Sequence, residues 1–322
     1  MVRCWMIPRR HSIAAITCSL LTLSLNPVGA WTLSPLLLIN HNHPCFDSRS
    51  MMTNMSKEEE FELPKAVSAL PGSMDVEEQP IRNPIDSSSV VLIIGGTRGI
   101  GLELVRQCVD LGATVIATHR GSVNQEVDVD AQWLEMDVSN ESSIQQAAQS
   151  YKSSSNFRPL THIIHSAGVY YPQSSFNGSS NNKRPAAPAV TSNVMMKTFQ
   201  INTVGPLLVA QHFVPLLNNK NAVVALLSSK VGSIDDNGSG GSYAYRASKS
   251  ALNNVAKSLS IDLAGIATVV LLHPGYVKTD MTNQKGLIDT STSVSGMLSA
   301  IQATDSTTPF RFVDYKANLI PW

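Results

Sequence analysis

The pattern of apolar and polar positions changes character near Ser88. From there on, short apolar runs alternate with segments whose apolar residues recur every three or four positions. Val90-Val91-Leu92-Ile93-Ile94 is wholly apolar and mostly β-branched, as expected of a strand buried on both faces of a parallel sheet. Ile100, Leu104 and Cys108, with Val105 and Val109, lie four apart and mark one helix face, which Gly112 closes. The same reading predicts strands over 114–118, 133–138, 160–165, 222–227, 268–272 and about 310–313. It predicts helices from a Ser139 cap to about Tyr151, over 194–217 with Gly205-Pro206 inside, over 243–263 and near 294–301. Strand–helix alternation implies right-handed crossovers and an α/β class, a doubly wound parallel sheet in one domain, 88–322. The stretch 173–193, rich in Ser, Asn and Pro, breaks the alternation and is expected to be a mobile surface insertion.

Upstream of the periodic body the pattern differs. Arg3, Arg9 and Arg10 precede a 13-residue apolar run from Ile13 to Leu25, too short for the roughly 20 residues that span a bilayer. Val28-Gly29-Ala30 offers small residues for cleavage, and the acid-poor, hydroxyl-rich stretch after Trp31 has transit-peptide composition. Residues 1–56 therefore read as a targeting leader, signal plus transit-like, and 57–87 as a flexible, unstructured linker rich in Glu, Pro and Ser. The leader resembles the bipartite leaders of plastid proteins in algae with secondary plastids, with Trp31 where those usually carry Phe. A plain secretory signal is the alternative, as is a start at Met51, Met52 or Met55 and a cytoplasmic protein.

Composition narrows the function classes. Of 322 residues, 43% are apolar, enough for a sizeable core, and only 15% are charged. The 24 basic residues equal the 24 acidic ones, so no broad basic field exists for nucleic acid. Cys4, Cys18 and Cys45 lie in the first 55 residues, which leaves Cys108 alone in the body, where it cannot form an internal disulfide. Neither a membrane span nor a metal site is expected in the body: His162 and His165, three apart on a strand, point to opposite faces. The oligomeric state stays open, a homo-oligomer included.

Between the first strand and helix lies Gly95-Gly96-Thr97-Arg98-Gly99-Ile100-Gly101. Glycines allow a tight turn and close approach to a pyrophosphate, which the helix N-terminus attracts. The spacing is GxxxGxG, not GxGxxG. Where NAD-binding sheets carry an acid for the ribose 2′-hydroxyl, this chain has Thr118-His119-Arg120. Arg120, with Arg98 nearby, suits the 2′-phosphate of NADP.

Tyr245 and Lys249 are four apart on a helix and so share one face. A phenol titrates near 10, and an adjacent ammonium is expected to lower that value and make a proton donor for a carbonyl oxygen. Ser229 follows a strand at the edge where open parallel sheets build their sites, and its hydroxyl can bond an oxygen as charge develops. Asn202 is a polar position in an otherwise apolar helix. No GxSxG turn suggests a serine hydrolase.

Together these residues resemble the short-chain dehydrogenase/reductase family over about 90–322. The resemblance implies a Rossmann fold, an NADP cofactor, and a small carbonyl or alcohol substrate. It implies a catalytic set of Asn202, Ser229, Tyr245 and Lys249, with Tyr245 and Lys249 also touching the cofactor and Asn202 holding a relay water. It further implies cofactor contacts from the loop 95–101, from Asp137 near the adenine, from Ala167 and Gly168, and from Pro274, Gly275, Val277 and Thr279 near the nicotinamide. The family's Asn-Asn-Ala-Gly reads His165-Ser166-Ala167-Gly168 here, which is expected to alter packing on the cofactor side. The segment Phe310-Arg311-Phe312-Val313-Asp314-Tyr315 and the Pro321-Trp322 pair look like the C-factor-like branch. A non-catalytic signalling protein of the same fold is the rival from another class, and an acyl-carrier-protein reductase the rival among enzymes.

Overall fold

A computed structural model describes residues 80–121, 129–171, 188–218 and 221–322. The leader, most of the linker and most of the 173–193 stretch therefore lie outside the described residues. Seven strands form one sheet: β1 (Val90–Ile94), β2 (Thr114–His119), β3 (Gln132–Glu135), β4 (His162–His165), β5 (Ala222–Leu227), β6 (Ala267–His273) and β7 (Phe312–Asp314). Their spatial order is β3-β2-β1-β4-β5-β6-β7, and every neighbouring pair is parallel. The order runs outward in opposite directions from β1, so the switch point lies between β1 and β4, where open parallel sheets bind ligands.

The strands are apolar throughout because both faces are covered. Leu92 and Ile94 pack into the core shared with Ile163, Phe213 and Leu252, whereas Val91 and Ile93 pack into the core shared with Leu104, Met297 and Ile301. The helices are α1 (Gly99–Asp110), α2 (Glu141–Lys152), α3 (Ser192–Phe199), α4 (Gly205–Phe213), α5 (Tyr243–Asp262) and α6 (Thr290–Gln302). Helices α1 and α6 pack together; α2 packs on α4, and α3 on α5.

Several expected boundaries are corrected. The predicted helix over 194–217 is α3, a π-helical turn at Gln200–Val204, α4 and a 3-10 turn at Val214–Leu216. Pro206 lacks an N–H, and the chain widens its turn just ahead of it. The cap of α2 is Asn140, whose side chain accepts from Ser143 N, because the Ser139 hydroxyl donates instead to Asp137. Strand β4 begins at His162, since Leu160 makes only an isolated bridge to Leu217. Strand β3 ends at Glu135 because Asp137 turns the chain.

The linker's last residues are structured too. Helix α6 ends at Gln302, whose carbonyl has no partner within the helix. The Arg82 and Asn83 N–H groups donate to it at 2.8 and 2.9 Å, and Ile85 N donates to Gln302 Oε1 at 3.1 Å. Ile85 is 3% exposed within the α1–α6 core. The folded body thus begins by Arg82 rather than Ser88. Ile85→Val is expected to lower stability by about 0.5–1.5 kcal/mol, the usual result of removing one buried methylene, readable as a shift in the urea midpoint. A midpoint within error of the native one would detach this segment from the cooperative unit.

Candidate active site

The glycine loop lies at the carboxyl end of β1 and is held from β2: Gly95 N donates to Thr118 Oγ1 at 2.9 Å and Gly96 N to Thr118 O at 3.0 Å. Gly95 has φ +85°, a conformation open to glycine. A Cβ on Gly101 would lie 1.9 Å from the Gly95 oxygen, so any side chain there collides with the backbone. Helix α1 opens without a side-chain cap and with no acid in its first turn. Its first N–H groups, with Thr97 and Ile100 alongside, therefore form a seat suited to an anion.

The loop after β6 crosses this cradle. Gly275 has φ +85°, Val277 is buried and bridges to Ile288, and Thr279 begins a capping box with Thr282. The Thr279 methyl sits 3.5 Å from where a Gly99 Cβ would stand, and Arg98 pairs with Asp280 at 3.6 Å. Arg98 keeps 78% of its side chain exposed in that pair, so the contact is weak. Arg120 is exposed just past β2. Asp137 accepts at Oδ1 from Ser139 N and Oγ, which orders the turn after β3.

On the other side of the switch point, Asn202, Ser229, Tyr245 and Lys249 come from three separate elements. Ser229 follows β5 and is 9% exposed. Tyr245, in the first turn of α5, lies near enough to the Ser229 hydroxyl for that group to favour the phenolate. Lys249 is 4% exposed; its Nζ donates to Leu227 O at 2.8 Å and lies 5.8 Å from the Tyr245 ring centroid. Asn202 occupies the π-helical turn and is fully buried. Its Oδ1 accepts from Val169 N at 2.8 Å, while Nδ2 donates to Val169 O at 2.9 Å and to Ser248 Oγ at 3.1 Å. The side chain is thus engaged in fixing the loop after β4 onto α5. Gly168 lies in the narrow space between: a Cβ there would come 3.4 Å from Asn202 Oδ1 and 3.7 Å from Lys249 Nζ. Ala167 backs Gly95 at 3.0 Å in the same sense.

The electrostatics correct one expectation. Burial pushes the Tyr245 phenol up to about 12, opposed by the nearby Ser229 hydroxyl and aided by Tyr170. The Lys249 ammonium donates to the Leu227 carbonyl, and burial takes its own pKa down to about 8. His165, which replaces the family's asparagine, is buried in the sheet and neutral; burial first, then Lys249, pull it down to about 3. Among the described residues no three His, Cys, Asp or Glu lie close enough to hold a metal ion, and no helix is long and apolar enough to cross a membrane.

Two neighbours were not visible in the sequence. The Tyr170 ring stands edge-on to Tyr245 at 5.3 Å and 85°, and Asn253 accepts from Ser228 Oγ at 2.5 Å. Tyr170 follows the His165-Ser166-Ala167-Gly168 turn by two residues, and an aromatic so close to a strand end was the only available signal. Asn253 sits eight residues beyond Tyr245 and carried none.

A parallel sheet with a phosphate cradle on one side of its switch point and a Ser-Tyr-Lys cluster on the other defines a dinucleotide-binding oxidoreductase scaffold. The short chain dehydrogenase family model matches residues 89–287, and the chain belongs to that family. It is 43% identical to the C-signal of Myxococcus xanthus over 131 residues, covering 40% of this chain and 78% of that one. It is 30% identical over 244 residues to a 1-hydroxy-2-glutathionyl-2-methyl-3-butene dehydrogenase of Rhodococcus sp., covering 73% of this chain and all of the other. An NADPH-bound carbonyl reductase from chicken fatty liver superposes with a TM-score of 0.65 at 26% identity, covering 76% of this chain and 96% of that one.

Proposed function

We propose that this chain is an NADP(H)-dependent oxidoreductase that interconverts a small carbonyl compound and its alcohol. The observation that carries the reading is the meeting of Ser229, Tyr245 and Lys249 beside Gly168, across the switch point from the glycine loop. The cradle fits a dinucleotide: Gly95 and Gly101 leave the space a side chain would fill, α1 is uncapped, and Arg98 and Arg120 supply exposed charge for a 2′-phosphate. When bound, the nicotinamide supplies or accepts the hydride.

The chain's own residues do the rest. The Ser229 hydroxyl orients the substrate oxygen, and the Tyr245 phenol, protonated at neutral pH, gives it a proton. Lys249 is held against Leu227 O and would meet the cofactor's ribose. Asn202 keeps the Gly168–Val169 backbone in place. Asp137, Pro274, Gly275, Val277 and Thr279, around the same cradle, would complete the cofactor's contacts.

A panel of aldehydes and ketones incubated with NADPH, followed by loss of nicotinamide absorbance, tests the activity. Turnover of at least one compound is expected. Tight NADPH binding with no turnover across the panel would favour the non-catalytic signalling reading, which the C-signal relative supports. Arg120→Ala is expected to weaken NADPH binding by about 1–3 kcal/mol, the range for a hydrogen bond to a charged group, and to leave NADH binding little changed. Equal losses for both cofactors would remove the 2′-phosphate role.

For the leader we infer delivery to a plastid, supported by the positive head, the 13-residue apolar run and the acid-poor stretch after Trp31. A fluorescent fusion of residues 1–60 is expected to enter the secretory route and reach the plastid. Diffuse cytosolic fluorescence would point to a start at Met51, Met52 or Met55.

A further inference from the structure

The chain between Ser229 and Tyr245 joins two residues of the site. It has little secondary structure of its own: a 3-10 turn at Lys230–Gly232, then a stretch to Ser242 containing Gly238, Gly240 and Gly241. Glycine-rich backbone has much conformational freedom to lose, so neighbours must impose its shape. Both ends are held from α5: the Arg246 guanidinium donates to Val231 O at 3.1 Å near the start and to Gly240 O at 3.2 Å and Ser239 Oγ at 2.7 Å near the finish.

The other hold comes from the far edge of the sheet. After β7 the Asp314 carboxylate accepts from Lys316 N, Asn318 N and Asn318 Nδ2, and Ile320 N donates to Phe312 O. This turns the chain back and delivers Trp322 to the segment after Gly232. The Trp322 main-chain oxygen accepts from Ile234 N at 3.1 Å, Asp235 N at 2.9 Å and Ser233 Oγ at 3.2 Å. Its indole stacks on Phe310 at 5.4 Å and 10°, with Phe312 at 6.1 Å, and the Lys257 ammonium lies 5.4 Å from the Phe310 centroid. Between this aromatic stack and α5 is a cavity of about 450 Å³ lined by Gly232, Ile234, Asn253, Lys257, Phe310 and Trp322. Asn253, on its α5 wall, is the acceptor for Ser228, the neighbour of Ser229.

We propose that Trp322 is a positioning residue: through its ring stack and main-chain oxygen it fixes segment 233–235, and with it the wall between Ser229 and Tyr245 that receives the carbonyl compound. The stack anchors the backbone from which the three hydrogen bonds are made, and the glycines then let the wall follow. This rests on the carbonyl-reduction reading above, and the test separates the two.

The test uses the full chain with Trp322→Ala and Trp322→Phe. Three readouts are taken: amide hydrogen exchange over 233–241, NADPH affinity by fluorescence titration, and kcat/KM for a carbonyl compound the native protein reduces. In Trp322→Ala the Ile234 and Asp235 amides should exchange faster while those of β5 and α5 do not. NADPH affinity should hold, and kcat/KM should fall by about 10- to 100-fold, as expected of a slightly misplaced site. Trp322→Phe, which keeps a stacking face, should restore most of the loss. Should the alanine variant fail to fold, Trp322→Leu carries the same expectation, since it keeps apolar bulk without a ring face. Unchanged exchange at 233–235 overturns the proposal. So does faster exchange with native kcat/KM, or a parallel fall in NADPH affinity, which would mark general loosening. If the native protein reduces no carbonyl compound, the activity reading fails, and the exchange data still decide whether Trp322 holds the segment.

Discussion

Tyr245→Phe is expected to reduce carbonyl turnover by about 10²–10⁴-fold, the usual contribution of general acid catalysis, with NADPH binding intact. The change removes one oxygen and keeps the ring, so the edge-on contact with Tyr170 at 5.3 Å survives. The cradle is built from β1, α1 and the Thr118 bonds to Gly95 and Gly96, none of which involves Tyr245. Only the phenol oxygen, with its proton, is lost beside Ser229. Initial rates with a saturating carbonyl compound, beside a fluorescence titration of NADPH, separate the two effects. Near-native turnover in the variant would assign the proton to another group.

Stability is expected to fall steeply as pH drops from about 6.5 toward 4. Burial lowers the pKa of His162 to about 4, of His165 to about 3 and of His273 to about 4, against 6.5 in an open chain. Smaller influences act on each: Asp86 raises His162, Lys249 lowers His165, and Asp314 and Asp236 raise His273 while Lys230 lowers it. His162 Nε2, His165 Nε2 and His273 Nδ1 are buried with no hydrogen-bond partner among the described residues, so the folded state holds these rings neutral. Below pH 6.5 the unfolded chain binds protons that the folded chain refuses, and stability declines; above 6.5 both states are neutral and the histidines contribute no slope. Each ring contributes up to about 1.4 kcal/mol per pH unit in that window. Urea midpoints measured from pH 8 to 4 would show the decline, and His165→Gln should make it shallower. A flat profile between pH 6.5 and 4 would contradict the neutral assignment.

The parts of the fold that were legible in the sequence are those decided by local pattern. Strand β5 falls at 222–227 as expected, because a strand buried on both faces must be apolar at every position. Tyr245 and Lys249 could be paired because i and i+4 share a helix face wherever the helix packs. Boundaries failed where two residues compete for one task. Ser139 and Asn140 can both cap a helix, and the choice went to Asn140 because Asp137 engages the serine. The π-helical turn at Asn202 was invisible because one extra residue in a turn barely disturbs an apolar stripe. Ile85 was missed since a single buried residue has no periodicity, and its partner, the side-chain oxygen of Gln302 at the end of α6, is more than two hundred positions away. The Tyr245 pKa is raised rather than lowered for a similar reason: spacing brings Lys249 near, but the burial that pushes the phenol up is set by the packing around it.

The attachment of Arg82 and Asn83 to the end of α6 also settles from which side upstream chain reaches the body. Helix α6 runs back from the β6 loop, so its last residue lies at the amino-terminal edge of the strands, the edge opposite the cradle and Tyr245. Arg82 and Asn83 therefore sit at the domain's rear, so an antibody or immobilising surface directed at these two residues would grip the molecule from the edge opposite Tyr245.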